Sequence, residues 1–232
     1  KTFSTLTLAR KGLRAFLAER ESRKMVAPSS MTLDQWLDYW MGQVIGPGRA
    51  ETTVYGYQKI IDNHLSPALG AVPLQQLSPS HIQQYYTSLL RDKGLAPNTI
   101  RRHHDLLSAA LHTAVRQDVL LRCPTERVEP PKVVPREVHF YGPENLKRLY
   151  ALSEGTALEL PIRLAGGLGL RREEICGLRW SSVDFHLRRI HICAARTSAG
   201  ANIVEKETKN RSSTRVLHMA DDLYRLLRRE WS

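Results

Sequence analysis

Between Thr32 and Gln117 apolar residues return at three- and four-residue steps in four successive runs, and this periodicity limits the fold more than any other feature of the sequence. The first run opens at Thr32 with Gln35 three residues on, the pattern of a helix-capping box. It carries Leu33, Trp36, Leu37, Trp40, Met41 and Val44 to a stop at Gly46-Pro47-Gly48. The second, from about Glu51 to Leu65, sets Val54, Tyr57, Ile61 and Leu65 on one side before Pro67 and Gly70 break it. Ser78-Pro79 caps a third run with Ile82, Tyr85, Tyr86, Leu89 and Leu90, closed by Gly94. Pro97 begins the fourth, Asn98 to Gln117, with Ile100, Leu107, Leu111 and Val115 inward. Amphipathic helices joined by short loops bury their stripes against one another, so residues 31–121 are expected to form a small bundle. Trp36, Trp40, Tyr85 and Tyr86 are expected in its core.

Ahead of the bundle, Leu6 to Arg23 reads as a basic helix with Leu6, Leu13, Phe16 and Leu17, and Pro28-Ser29-Ser30 as a linker. Residues 1–30 are therefore read as a helix and linker set apart from the bundle. After the bundle, residues 122–136 are proline-rich and without periodicity, a semi-rigid connection. Beyond it a helix starts at Gly142-Pro143-Glu144 with Leu146, Leu149, Tyr150 and Leu152 inward, followed by an apolar run from Leu158 to Leu168. Arg189 to Cys193 alternates as a strand, with Asn202 to Glu205 as its partner across a Ser198-Ala199-Gly200 turn. Thr214 to Met219 is a third strand and Asp221 to Trp231 a last helix. Residues 137–232 thus read as a mixed α/β domain, and the whole chain as mainly α with a small antiparallel β-sheet.

The 34 basic side chains outnumber the 23 acidic ones throughout, and the net charge of +11 calls for a polyanionic partner. With no basic amphipathic anchor, lipidation signal or long apolar run, nucleic acid is favoured over a membrane surface. Thr99, Arg101, Arg102, His103 and His104 crowd the first turns of the fourth helix, with Arg49 and Lys59 on or near the second, and Arg122 and Lys132 flanking the connection. Such a cluster can lie against phosphates or enter a major groove, although by itself it also describes a solvated face. Three scattered cysteines make neither a disulfide framework nor a zinc ribbon, which fits a reducing cytoplasm. None of the nine histidines has the helical spacing of a zinc hydrolase, so no metal site and no cofactor are expected.

A second constraint lies at Gly169-Leu170-Arg171-Arg172-Glu173-Glu174-Ile175-Cys176-Gly177-Leu178-Arg179-Trp180, followed by Ser181-Ser182-Val183-Asp184. Glycine allows a tight turn after the apolar run, and Arg172 to Leu178 then reads as a short helix with Ile175 and Leu178 inward. Arg171 at the boundary can aim its guanidinium fork at an oxyanion, and Glu174, three residues on, can brace it. The residues alone equally describe a charged surface helix.

The pattern Gly-Leu-Arg-Arg-x-Glu-x-x-Gly-Leu-x-Trp-x-x-Val-Asp resembles the first catalytic box of the tyrosine recombinases, the integrases of phages and conjugative transposons. Thr53 to Tyr57, Asn63-His64-Leu65-x-Pro67-x-Leu69-Gly70 and Gly94-Leu95-x-Pro97-Asn98-Thr99 are similar to that family's core-binding domain over residues 32 to about 132. The resemblance implies that Arg171 contacts the scissile phosphate and that Glu174 supports it. It also implies that the bundle clamps duplex DNA and residues 1–30 end an arm-binding domain.

Lys206-Glu207-Thr208-Lys209-Asn210-Arg211-Ser212-Ser213-Thr214-Arg215 is, by charge alone, a basic loop that binds phosphate nonspecifically. It resembles the family's Pro-Lys-Thr-x-Ser-Ser-x-Arg hairpin, in which Lys209 matches the catalytic lysine. Thr208 and Asn210 depart from the pattern and leave Lys206 as the other register; Arg172, Arg211 and Arg215 are expected on DNA. Cleavage without metal requires charge neutralisation, a nucleophile and an acid for the departing 5′ oxygen, roles the resemblance gives to Arg171, a tyrosine and Lys209. No His-x-x-Arg follows the hairpin, and Tyr224 comes too early to match the nucleophile, so the sequence is expected to be part of a longer recombinase. A non-catalytic DNA-binding regulator is the alternative, and dimers to tetramers on DNA are implied by the family.

Overall fold

The capping box read at Thr32 forms: its hydroxyl accepts from the Gln35 N–H at 3.3 Å while Gln35 Oε1 accepts from the Thr32 N–H at 3.0 Å. The computed structural model describes residues 5–21, 26–133, 135, 137, 139–207 and 214–231, in two units, Lys1–Pro135 and Arg136–Ser232. In the first unit α1 (Leu6–Glu21) exposes Leu6, Leu13, Phe16 and Leu17. α2 (Leu33–Trp40), α3 (Glu51–Ile60), α4 (Pro79–Arg91) and α5 (Pro97–Arg116) follow. Their stripes meet in one core that includes Leu33, Trp36, Leu37, Trp40, Ile82, Tyr85, Tyr86, Leu89, Ile100 and Leu107. The two indole N–H groups find acceptors inside it, the Ala110 carbonyl at 3.0 Å and Thr113 Oγ1 at 3.3 Å, so burying the rings leaves neither donor unpaired.

Four local expectations are corrected. The second helix does not stop at Pro67: α2 and α3 each run on as widened five-residue turns, Met41–Ile45 and Ile61–Gly70. The wider step accommodates a proline that has no N–H to donate. Ser66 donates to the Asp34 carboxylate at 2.6 Å, and a Cβ on Gly70 would stand 2.0 Å from that carboxylate, so glycine closes the segment. Val44 and Leu90 face outward, Val44 because the widened turn rotates it off the stripe and Leu90 because Leu89 takes the inward place at the helix end. The expected connection packs back from its start: Cys123, Pro124 and Thr125 are buried, and Gln83 bonds both the N–H and the carbonyl of Glu129.

The fourth correction concerns His103, expected on the outward face. It is 1 % exposed, with Nδ1 2.7 Å from Tyr85 Oη. At 100° per residue it falls on the stripe of Ile100 and Leu107, three before and four after. His104 is half-buried, with Nδ1 2.9 Å from Tyr86 Oη.

In the second unit, α6 (Pro143–Ser153), α7 (Glu159–Leu168) and α8 (Arg172–Gly177) precede the strands, and α9 (Asp221–Trp231) follows them. β1 (Val183–Asp184), β2 (Arg189–Ile192) and β5 (Arg215–His218) make one antiparallel sheet in the order β1-β2-β5. β3 (Ala194–Ala199) and β4 (Asn202–Glu207) make a separate hairpin. This corrects the expected pairing of 189–193 with 202–205. Ser198 and Ala199 continue a strand, and the turn is the two residues Gly200-Ala201 between the Ala199–Asn202 pair, with Gly200 at φ +64°. β4 therefore pairs with β3, and β2 is left to β5 through Ile190–Leu217 and Ile192–Arg215. Leu164, Leu170, Ile190, Ile192, Met219, Leu223 and Leu227 form the core. Leu152 is exposed, because the inward stripe of α6 runs through Leu146, Tyr150 and Ser153 instead.

Burial, the nearby His64 ring at 4.9 Å and the Lys93 charge push the His103 imidazole down to about 4. Because its folded value lies below the ordinary 6.5, the stability it contributes is full above pH 6.5 and is lost as pH falls from 6.5 towards 4. The loss is about 3 kcal/mol in total. Denaturant titrations of the chain across this range, followed by tryptophan fluorescence, are expected to show that loss. A His103→Gln variant is expected to flatten the profile, and an unchanged slope in the variant would refute the assignment.

Candidate active site

The residue that ends α7 sets the geometry of the charged box. Gly169 adopts φ +65° and donates its N–H to the Ala165 carbonyl at 3.0 Å, a left-handed helix stop that costs other residues strain. Leu170 then drops into the core at 5 % exposure, and the chain emerges at Arg171, the cap of α8. Anchored on one side and free on the other, Arg171 is held at its backbone while its side chain stays 74 % exposed.

Glu174, in the first turn of α8, is buried at 4 % exposure. Its Oε2 accepts from the Arg171 backbone N–H at 2.9 Å and from Arg215 Nη2 at 2.8 Å. Its Oε1 accepts from Arg171 Nη1 at 3.1 Å and from Arg215 Nη1 at 2.9 Å. Each oxygen thus takes two donors, which offsets the cost of burying the charge. The Arg215 hydrogen bonds, with the Arg171 N–H, the Arg215 charge and the Arg171 side-chain bond behind them and burial opposing, hold the Glu174 carboxyl down at about 2. The same contact raises the Arg215 guanidinium above its ordinary value.

Further ties join the box to the β3–β4 hairpin. Glu205 on β4 accepts from Arg179 Nη2 at 2.6 Å and lies 3.3 Å from Arg196 Nε. Gly177 passes so close to β3 that a Cβ there would lie 2.9 Å from Ala195 Cα and 3.0 Å from its carbonyl carbon.

The structure thus brings Arg171 and Glu174 together as the sequence spacing implies, with Arg172 exposed beside them. Arg215, expected on DNA, is instead half-buried against Glu174, a contact across 41 positions that no local pattern announces. The one signal for it is an acidic residue on a short helix that needs a cation once buried. Lys209 and Arg211 lie outside the described residues, and Lys206 is seen only as a strand position opposite Ala195. In the first unit Arg49, Lys59, Thr99, Arg101, Arg102, Arg122 and Lys132 are exposed. Arg101 pairs with Asp105 at 3.3 Å, and Lys59 sits over the Tyr55 ring. Tyr224 on α9 stacks edge-on against Phe185 under the Arg188 guanidinium.

A helical bundle and an α/β unit that presents a carboxylate-braced arginine have the fold of integrase core-binding and catalytic domains. Residues 32–90 match the family model described as phage integrase, N-terminal SAM-like domain. A "Tyrosine recombinase XerC-like" protein of Caldanaerobacter subterraneus subsp. tengcongensis is 22% identical over 214 residues, 85% of this chain and 54% of that protein. An integrase of Saccharopolyspora erythraea is 27% identical over 168 residues, 71% of this chain and 38% of its own length. The fold is shared with the Tn1549 transposon integrase in complex with a circular intermediate DNA. The TM-score is 0.69 at 22% identity, covering 86% of this chain and 65% of the other. The chain is thus similar to tyrosine recombinases and integrases, and it spans about half the length of these curated relatives.

Gly177→Ala is expected to push α8 off β3 and to cost the second unit about 2 kcal/mol. Gly167→Ala, where a Cβ meets only the Tyr150 hydroxyl at 3.8 Å, is expected to be neutral or slightly stabilising. Thermal unfolding of the two variants compares them directly, and equal melting temperatures would sink the claim of close packing.

Proposed function

We propose that this chain is the DNA-binding and first catalytic part of a site-specific recombinase that cuts and rejoins duplex DNA in the bacterial cytoplasm, integrating or excising a mobile element. The observation that carries the reading is Arg171, exposed by 74 % yet fixed at its backbone and at one guanidinium N–H by a buried carboxylate. A side chain so held pays little entropy on meeting a phosphate, and its planar fork matches two phosphoryl oxygens. Arg172 adds positive charge beside it.

In the proposed reaction Arg171 neutralises charge building on the phosphoryl oxygens while a tyrosine hydroxyl attacks phosphorus and gives up its proton to water. The bond to the 5′ oxygen breaks, and that oxygen takes its proton from Lys209, assigned on the sequence match. The resulting 3′-phosphotyrosyl link conserves the energy of the broken bond, so strands exchange and reseal without ATP. The nucleophile and the His-x-x-Arg box are assigned to no residue of this chain. The exposed bundle residues Arg49, Lys59, Thr99, Arg101 and Arg102, with Arg122 and Lys132, supply phosphate contacts. The protein works as a dimer or tetramer on DNA.

The test is covalent capture in the complete protein, with duplexes selected from a random library and a nick beside the cleavage point. A denaturation-resistant protein–DNA adduct is expected. Arg171→Ala and Lys209→Ala are each expected to abolish the adduct while duplex affinity changes by less than roughly tenfold, since many phosphate contacts remain. Intact binding without an adduct in the parent protein would make it a DNA-binding regulator, and equal loss of binding in both variants would mean that they only grip the backbone.

A further inference from the structure

Arg215 differs from the other basic residues of the box in where its charge goes. Its Cα is fixed in β5 opposite Ile192, and its side chain is 29 % exposed against 74 % for Arg171. Both terminal nitrogens meet both oxygens of Glu174, at 2.9 and 2.8 Å, the fork-to-fork geometry in which a guanidinium holds a carboxylate best. Arg171, by contrast, gives that carboxylate only one side-chain N–H, at 3.1 Å.

We propose that Arg215 is a positioning residue that occupies Glu174 so that Arg171 keeps its charge and most of its fork for phosphate. The inference rests on the phosphate role proposed above for Arg171. Two guanidinium groups around one carboxylate leave a cluster of net charge +1. If Arg215 were absent, Glu174 would be a buried carboxylate short of two donors, and the nearest replacement is the guanidinium of Arg171 itself. That side chain would fold down into a one-to-one ion pair of net charge zero, turned away from solvent. Arg215 therefore acts by competition for the carboxylate. This separates it from a residue that merely braces the fold, because the loss of Arg215 is expected to be relieved by removing the charge that Arg171 falls onto.

The experiment measures how the affinity of the chain for duplex DNA depends on salt. Each lost phosphate contact lowers the log–log slope by about 0.9. Arg215→Ala and Arg171→Ala are each expected to lower it by about that amount, and the double variant by no more than either alone. Glu174→Gln combined with Arg215→Ala is expected to bring the slope back towards the parent value, with circular dichroism to confirm that the chain is folded. In the complete protein Arg215→Ala is expected to slow strand cleavage roughly 100-fold, with partial recovery in the same double variant. Arg215→Lys, which keeps a charge without the fork, is expected to fall between the two.

Losses that add in the Arg171→Ala, Arg215→Ala pair would show that Arg215 touches phosphate itself. A folded Glu174→Gln, Arg215→Ala protein with no recovery would reduce Arg215 to a brace, and either result overturns the proposal. If Arg171→Ala alone leaves the slope unchanged, the phosphate role of Arg171 fails instead. The carboxyl ¹³C titration of Glu174 then still judges the competition: it is expected to stay low in Arg215→Ala, where Arg171 takes over the carboxylate, and to climb towards the ordinary carboxylate range only when Arg171→Ala is added, and a climb as large in Arg215→Ala alone would refute it.

Discussion

The charged box of the second unit is organised around one buried carboxylate, Glu174. Glu174 sits where the core ends, and its charge is tolerable there because four donors from two directions reach it. Two of those donors come from the box itself, three residues away, and two from β5, far along the chain. The same contacts close the helix cap and dock a strand, and they set the angle of an exposed arginine. Fold and candidate chemistry therefore share one interaction, and a change that unsettles Glu174 disturbs both.

The first unit solves a different problem. Its helices bury a wide aromatic and aliphatic core, and the tryptophans are admitted because Ala110 and Thr113 accept their N–H groups. The buried tyrosines are paired with histidines in the same way, Tyr85 with His103 and Tyr86 with His104. Burial raises the phenol of Tyr86 well above its ordinary range, and it lowers the imidazoles of both histidines, so both pairs stay neutral inside a strongly basic protein. Keeping the interior neutral leaves the positive charge at the surface, on Arg101, Arg102, Lys59 and their neighbours, where a polyanion can meet it.

What was legible in the sequence was what local chemistry decides. Thr32 and Ser78 cap helices as their side chains dictate, the apolar stripes fall where their period puts them, and Gly169 stops α7 just ahead of Arg171. His103 was misread as outward because of its charged neighbours, although its place on the Ile100 stripe puts it in the core. The rest depends on partners distant in sequence. Pro67 reads as a breaker until the widened turn and the Asp34–Ser66 bond make room for it. Strand pairing turned on whether Ser198 and Ala199 belong to a turn or a strand, and both conform to either. Arg215 resembled every other basic residue of its run, and only its docking against a buried acid distinguishes it.

That distinction bears on how a basic protein makes one arginine special among 34 basic side chains. Adding further positive charge near Arg171 would strengthen nonspecific attraction to DNA, but it would leave the guanidinium to wander among many phosphates. Placing a lone carboxylate beside it would fix its position and cancel its charge. The arrangement found here does neither: a carboxylate fixes Arg171 at its backbone and one N–H, and a second arginine absorbs most of that carboxylate's attraction. Orientation and charge are then supplied by different residues, so the proposed phosphate contact can be both well aimed and strong.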